Sequence, residues 1–286
     1  MNTRERIIEH IRKMPALPAA AGRVLTAARD PDAGIADIMK IIEADAGLTA
    51  DILRLANSAF FAGPRKIGNL RDAGVLLGMN RIVELVLSSA IVPLAKGPVP
   101  GYDLSEGKLL EHMFATGIGT EELARALGFP PPLNAFTAGL LHGVGKIALG
   151  QVVADQVEEI KKQVTIHQIP FDKAEERVLG ISYPEAGAIL LEYWNLPEEL
   201  CQAVRWHREP DKAAGNKLMC DLVHAASVIA LECGLGLGED GLLYTVCPGT
   251  VERLRIREEV VEKTGAAIIE KLDDLRQVFG LAARRT

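Results

Sequence analysis

The chain has little of what several classes of function require. Its four cysteines, Cys201, Cys220, Cys233 and Cys247, lie 13 to 19 residues apart and none forms a CxxC pair. A zinc knuckle or dithiol centre is therefore not indicated, and the cysteines read as reduced, mostly buried small hydrophobes. Aromatic residues make up only 5%, and none interleave with the arginines of the tail VERLRIREEVVEK as base stacking requires. The formal charge is −6, so bulk electrostatics do not favour a polyanion, and no nucleic-acid partner is expected. No charge-free apolar run reaches the roughly 18 residues of a membrane span. The longest candidate, Gly74 to Ala95, is interrupted by Arg81 and Glu84. The start, MNTRERIIEH, has no apolar h-region. These absences lead to the expectation of a cytoplasmic protein without membrane contact. Alternating apolar and polar residues are also missing, as are Asn-Gly or Asp-Gly turns between β-branched runs.

What is present repeats at helix spacing. Of the 286 residues, 48% are hydrophobic and 24% charged, the balance of a globular domain. Ile35, Ile38, Met39 and Ile42 fall at i, i+3, i+4 and i+7, as do Ile52, Leu55, Ala56 and Ala59, and Ile82, Leu85, Val86 and Ser89. The predicted fold class is all-α. Lys96 to Asp103, KGPVPGYD, reads as a linker, and Gly128 to Asn134, GFPPPLN, as a loop. Ser182 and Glu185 match a capping box at the start of a helix that Asn195 and Pro197 would end. Beyond Gly234 a glycine-rich loop leads into a charged amphipathic tail from about Thr250. The division this suggests is an N-terminal helical lobe (1–97), a central helical core (98–233), and the loop with its C-terminal helical tail (234–286).

Chemistry concentrates in the central part. Of six histidines, His112, His142, His207 and His224 lie on segments that read as helices. Imidazole is a common transition-metal ligand, and helical proteins build metal sites from inward-facing residues on different helices. A single histidine on a helix is more often structural. The stretch from Ala138 to Gly150, AGLLHGVGKIALG, ends an apolar run on His142 and continues with Gly143, Gly145 and Lys146. The glycines would permit close packing or an unusual backbone angle. Lys146 reads either as an anion contact or as a helix-end or surface lysine. Arg205 and Arg208 flank His207 on one predicted helix, which suggests a small basic pocket.

GLLHGVGKI resembles the LLHDIGK signature of the HD superfamily of metal-dependent phosphohydrolases. From about Pro15 to Ala230 the chain resembles one branch of it, the HDOD (HD-related output domain) family. EADAGLTADILRLANSA matches that family's opening, LRDAGVLLGMNRI the next element, and EYWNLPEELCQAVRWHREP the segment after the HD corner. The resemblance implies an all-helical fold: an N-terminal bundle, an HD-like core and a groove between the lobes for a ligand or partner. In catalytic HD proteins the ligands are an early histidine, the His-Asp pair, further histidines and a late aspartate. Here His112, His142 and His207 match histidine positions and form a remnant metal-ligand set. The paired aspartate is Gly143, a further histidine falls on Tyr183, the second of an HH pair on Arg208, and the late aspartate on Ser227.

Hydrolysis of a phosphate ester at a metal needs a cation that makes hydroxide and clamps the phosphoryl oxygens. Glycine supplies no oxygen, and the loss of both aspartates removes the charge that offsets the cation. The resemblance therefore implies a bacterial, non-catalytic signal-transduction module with no cofactor. It would act on a signalling partner in trans, since the chain leaves no room for a receiver domain. A phosphate or nucleotide ligand would be bound at Lys146, Arg205 and Arg208 without turnover. The competing expectation is a phosphohydrolase or phosphodiesterase with an altered ligand set, holding Zn, Mn or Fe on the three histidines, since a His₃ site with water is a known catalytic geometry. Tyr183, at a helix start, would be placed to fill the old metal pocket.

Other signals carry less. The glycine spacing around Lys146 does not fit a P-loop, and no strand precedes it. GLGLGEDG lacks a βαβ context. Arg253, Arg255 and Arg257 in the tail read as a solvated helix face or as a contact for a homodimer or partner.

Overall fold

The structure is a computed structural model that describes residues 2–62, 65–236, 238, 240, 241 and 244–281. Leu237 and Glu239 of the glycine-rich loop and residues 282–286 of the tail lie outside the described residues. Among the described residues there is no strand, only an isolated bridge between Val99 and Leu104. The helices in chain order are α1 (Thr3–Ile11), α2 (Ala19–Arg29), α3 (Ile35–Glu43), α4 (Ala46–Ala56), α5 (Leu70–Ala95), α6 (Lys108–Ala126) and α7 (Ala135–Leu141). They continue with α8 (Val144–His167), α9 (Phe171–Leu179), α10 (Tyr183–Tyr193), α11 (Glu198–Trp206), α12 (Lys217–Glu232), α13 (Pro248–Leu254) and α14 (Glu258–Phe279).

The chain divides into two compact, discontinuous units: residues 15–94 with the chain from Glu270, and residues 1–14 with 95–269. Within the second of these, α1 packs on α10.

In the first unit the helical stripes do what their spacing predicts. Ile38, Met39 and Ile42 of α3, Ile52 and Leu55 of α4, and Ile82, Leu85 and Val86 of α5 are all buried. Ala59 departs from its stripe: α4 has ended at Ala56, and Ala59 is exposed. Asn57 closes the connection that follows. Its Oδ1 accepts from the Ile67 N–H and its Nδ2 donates to the Ile67 carbonyl, both at 2.9 Å. Helix α5 is broken at Gly78, whose φ of 73° and ψ of 173° are open to glycine almost alone.

Two stretches, Leu70–Ala95 and Ala135–His167, are long and apolar enough to cross a membrane by length and composition. In the second, 83% of the apolar window is buried inside the protein, as it is for any core helix.

The second unit is built around α6, whose residues from Leu109 to Glu121 are buried on every side. The segment from Lys96 to Asp103 is more than a linker. It folds into a 3-10 turn at Pro100–Tyr102, and Tyr102 is fully buried. The helical tail consists of α13 and α14. Arg255 takes a left-handed conformation, φ 52°, that ends α13 before α14 starts. All four cysteines are free, with Cys201 and Cys220 buried.

Candidate functional site

His142 and His207 arise from the same local geometry. Each is the residue that ends a short helix, α7 or α11, and each turns Nδ1 back onto the carbonyl three residues earlier. The distances are 2.6 Å to Gly139 O and 2.7 Å to Val204 O. His112 comes from α6, and its Nδ1 meets Leu235 O at 3.1 Å. A carbonyl can only accept, so each ring carries its proton on Nδ1 and presents Nε2 as a lone pair. The rings form a row: His112 and His142 have centroids 5.0 Å apart, His142 and His207 5.1 Å. Three of the four core histidines therefore converge. The fourth, His224 of α12, instead accepts the Cys247 N–H at 2.8 Å.

Both ends of the row are closed by hydroxyls. Ser227 Oγ lies 3.3 Å from His112 Nε2 and Tyr183 Oη 3.1 Å from His207 Nε2. Tyr244 Oη in turn meets Tyr183 Oη at 2.9 Å. Since the Nε2 atoms accept, Ser227 and Tyr183 donate, and Tyr244 donates to Tyr183. Tyr183 begins α10, held there by Glu175, whose Oε2 accepts the Tyr183 N–H at 2.8 Å. Ser182 occupies the cap position but makes no side-chain cap bond. The capping box expected from Ser182 and Glu185 is thus not formed; Glu185 is drawn to Arg4 of α1, and a buried carboxyl from α9 does the capping.

Gly143 has ordinary right-handed angles, φ −90° and ψ −3°, so no unusual backbone explains it. A Cβ there would stand 3.0 Å from Met113 Cγ, a flexible neighbour. Gly145 is the tighter position. A Cβ would fall 1.8 Å from the Tyr183 carbonyl oxygen, so α8 and α10 can cross here only over a glycine.

Burial governs the electrostatics. It holds the His142 imidazole down at about 3 and His224 at about 4, and pushes His112 and His207 well below the usual range. Burial also lifts the Glu175 carboxyl to about 8. Two cations stand near the row. Lys146 is not at the surface: it is buried and donates to Asp240 Oδ2 at 2.6 Å. Arg208 lies over the Tyr244 ring and pairs with Asp172 at 3.2 Å. Arg205 takes no part, pairing with Glu192 at 2.7 Å. Arg205 and Arg208 line a cleft of about 260 Å³ whose wall carries as many acidic as basic side chains, so it is balanced rather than basic.

The HD resemblance implies a divalent metal, and the residues present do not fit one. Among the described residues no three His, Cys, Asp or Glu side chains are grouped so as to hold an ion. The outer Nε2 lone pairs are spent on Ser227 and Tyr183, and no carboxylate joins the row.

Sequence reasoning missed Tyr102, Glu175, Asp172, Asp240 and Tyr244. Asp240 and Tyr244 belong to the glycine-rich loop and the strand-less segment after it, and Tyr102 to the supposed linker; none carried a recognisable spacing. In the tail, Arg253 is no solvated arginine. It binds Asp221 through Nε and Nη2, each at 2.7 Å, and also reaches Asp211.

The HDOD domain family model matches residues 14–210. An HDOD domain protein of unknown function from Geobacter sulfurreducens is 25% identical, with a TM-score of 0.67 over 96% of this chain and 97% of that one. A candidate phosphohydrolase from Shewanella amazonensis is also 25% identical, with a TM-score of 0.65 over 92% and 97% of the two chains. An uncharacterized protein of Treponema pallidum is 25% identical over 202 residues; that match takes in 70% of this chain but only 39% of the relative's length. With a helical fold, a histidine at the HD corner and a family match over more than two thirds of its length, the chain belongs to the HDOD domain family.

Proposed function

We propose that this chain is a non-hydrolytic regulatory module of the bacterial cytoplasm. It works by binding a signalling partner in trans or a small anion near Lys146 and Arg208. The observation that carries this reading is the pair of hydroxyls, from Ser227 and Tyr183, that donate to the outer histidines where a metal would need their lone pairs. Glycine at 143 and serine at 227 leave no carboxylate to bridge or neutralise a cation. The test is turnover of a generic phosphodiester with added Mn²⁺. No turnover above a His142→Ala control supports the reading; activity that this substitution abolishes overturns it.

One observation favours the alternative, a phosphohydrolase with an altered ligand set. The three histidines do converge, each with Nδ1 held by a backbone carbonyl, the kind of bond that orients a metal-ligating histidine. That reading needs both hydroxyls to leave Nε2.

A further inference from the structure

Lys146 and Asp240 form an ion pair with only 4% and 5% of their side chains exposed. The lysine stands in the first turn of α8. Asp240 arrives from the glycine-rich segment between α12 and α13 and contacts Nζ through Oδ2 alone. The faces of Tyr102 and Tyr183 lie 5.4 and 5.0 Å from the ammonium. The other carboxylate oxygen, Asp240 Oδ1, is buried with no hydrogen-bond partner among the described residues. The same holds for Arg208 Nε and Nη1.

A structural ion pair is poorly served by this arrangement. Buried charges are tolerated when every lone pair and proton is matched, and an apolar pair of the same volume is commonly as stable. Here half the carboxylate is unmatched. The arrangement does suit a recognition pocket, since a lysine walled by two aromatic rings binds an oxygen of an oxyanion.

We propose that Lys146, walled by the rings of Tyr102 and Tyr183, forms a binding pocket for a singly charged oxyanion, and that the carboxylate of Asp240 occupies it as an internal stand-in for the ligand. Charge matching sets the class: whatever displaces Asp240 must replace one negative charge beside Lys146, as a phosphodiester or a carboxylate does. The ligand and Asp240 then compete for the same ammonium. This inference rests on the anion-binding part of the proposed function and names its site and ligand chemistry. It fails separately from the rest, because metal content and turnover decide the non-hydrolytic reading and are indifferent to Asp240.

The experiment is thermal unfolding of wild type and Asp240→Ala in rising dimethyl phosphate or acetate, against sodium chloride at equal ionic strength. The midpoint reports binding to the folded state by mass action. Asp240→Ala is expected to respond at oxyanion concentrations about tenfold or more below those that act on wild type. A response to dimethyl phosphate alone assigns the pocket to phosphodiesters, and a response to both assigns it to oxyanions at large. Asp240→Asn keeps the shape of the side chain without its charge; it serves if the alanine variant does not fold and should respond in the same direction. The double variant Lys146→Met/Asp240→Ala should lose the response. Equal responses in wild type and the Asp240 variants, or a response that survives loss of Lys146, would overturn the proposal.

Discussion

The hydroxyl of Tyr183 donates to Nε2 of His207 across 3.1 Å, and its own oxygen accepts from Tyr244 at 2.9 Å. A tyrosine from the start of α10 thus satisfies the lone pair that a metal would otherwise use. Burial keeps the phenol protonated by raising its pKa well above the usual range, so it remains a donor. Tyr183→Phe leaves Nε2 buried without a donor and should cost about 1–3 kcal/mol. Urea unfolding measures this; a change within about 0.3 kcal/mol would show that the bond contributes nothing.

The crossing of α8 and α10 sets a second expectation. Gly145→Ala drives a methyl into the Tyr183 carbonyl, 1.8 Å away, and should destabilise by about 3 kcal/mol or more. Gly143→Ala meets only flexible side-chain atoms, Met113 Cγ at 3.0 Å and Leu109 Cδ1 at 3.1 Å, and should cost about 1–2 kcal/mol. If the two variants melt alike, the crossing is not as close as described.

How much of this was legible in the sequence follows from where each residue sits. The stripes of α3, α4 and α5 were readable because a 3.6-residue period shows directly which face is buried. The histidine positions were readable because the HD corner and its neighbours keep their order. Convergence of His112, His142 and His207 was not, since it depends on how α6, α7 and α11 pack. Lys146 misled because a lysine at a helix start usually reaches solvent; its buried partner, Asp240, lies 94 residues away. Ser182 and Glu185 misled because a local capping pattern lost to Glu175, a tertiary contact. Arg253 looked solvated because Asp221 and Asp211 precede it by 32 and 42 residues.

Stability against pH should pass through a maximum near 6.5. The buried histidines titrate in the folded protein at about 3 (His142) and about 4 (His224), against 6.5 unfolded. Between those limits the unfolded chain binds more protons. Their contribution is complete above pH 6.5 and is lost as pH falls, at up to about 1.4 kcal/mol per pH unit for each group. Glu175 acts with the opposite sign. Its folded value of about 8 exceeds the unfolded 4.5, so its contribution is complete below pH 4.5 and is lost as pH rises towards 8. From 4.5 to 6.5 the histidines outnumber it and stability climbs; above 6.5 the carboxyl alone acts and stability falls. Glu175→Gln should flatten the alkaline side, as chemical denaturation across pH would reveal. An unchanged alkaline slope would contradict the assignment.

Arg253 clamps α13 to the buried Asp221, whose side chain is 2% exposed. Arg253→Met removes two hydrogen bonds to that carboxylate, which keeps only the Thr250 hydroxyl, and should cost about 1–2 kcal/mol. Arg257→Ala, on the exposed face of the same tail, should change stability by no more than about 0.5 kcal/mol. Equal effects would return both arginines to the solvated surface.

The central claim is that the histidine row has exchanged a metal for two hydroxyls. Elemental mass spectrometry on protein purified without a chelator or a histidine tag tests it most directly. The account predicts less than about a tenth of an equivalent of Zn, Mn or Fe per chain, unchanged in Ser227→Ala. About one equivalent, lost in His112→Ala, would contradict it and place the chain among the metal-binding members of its superfamily.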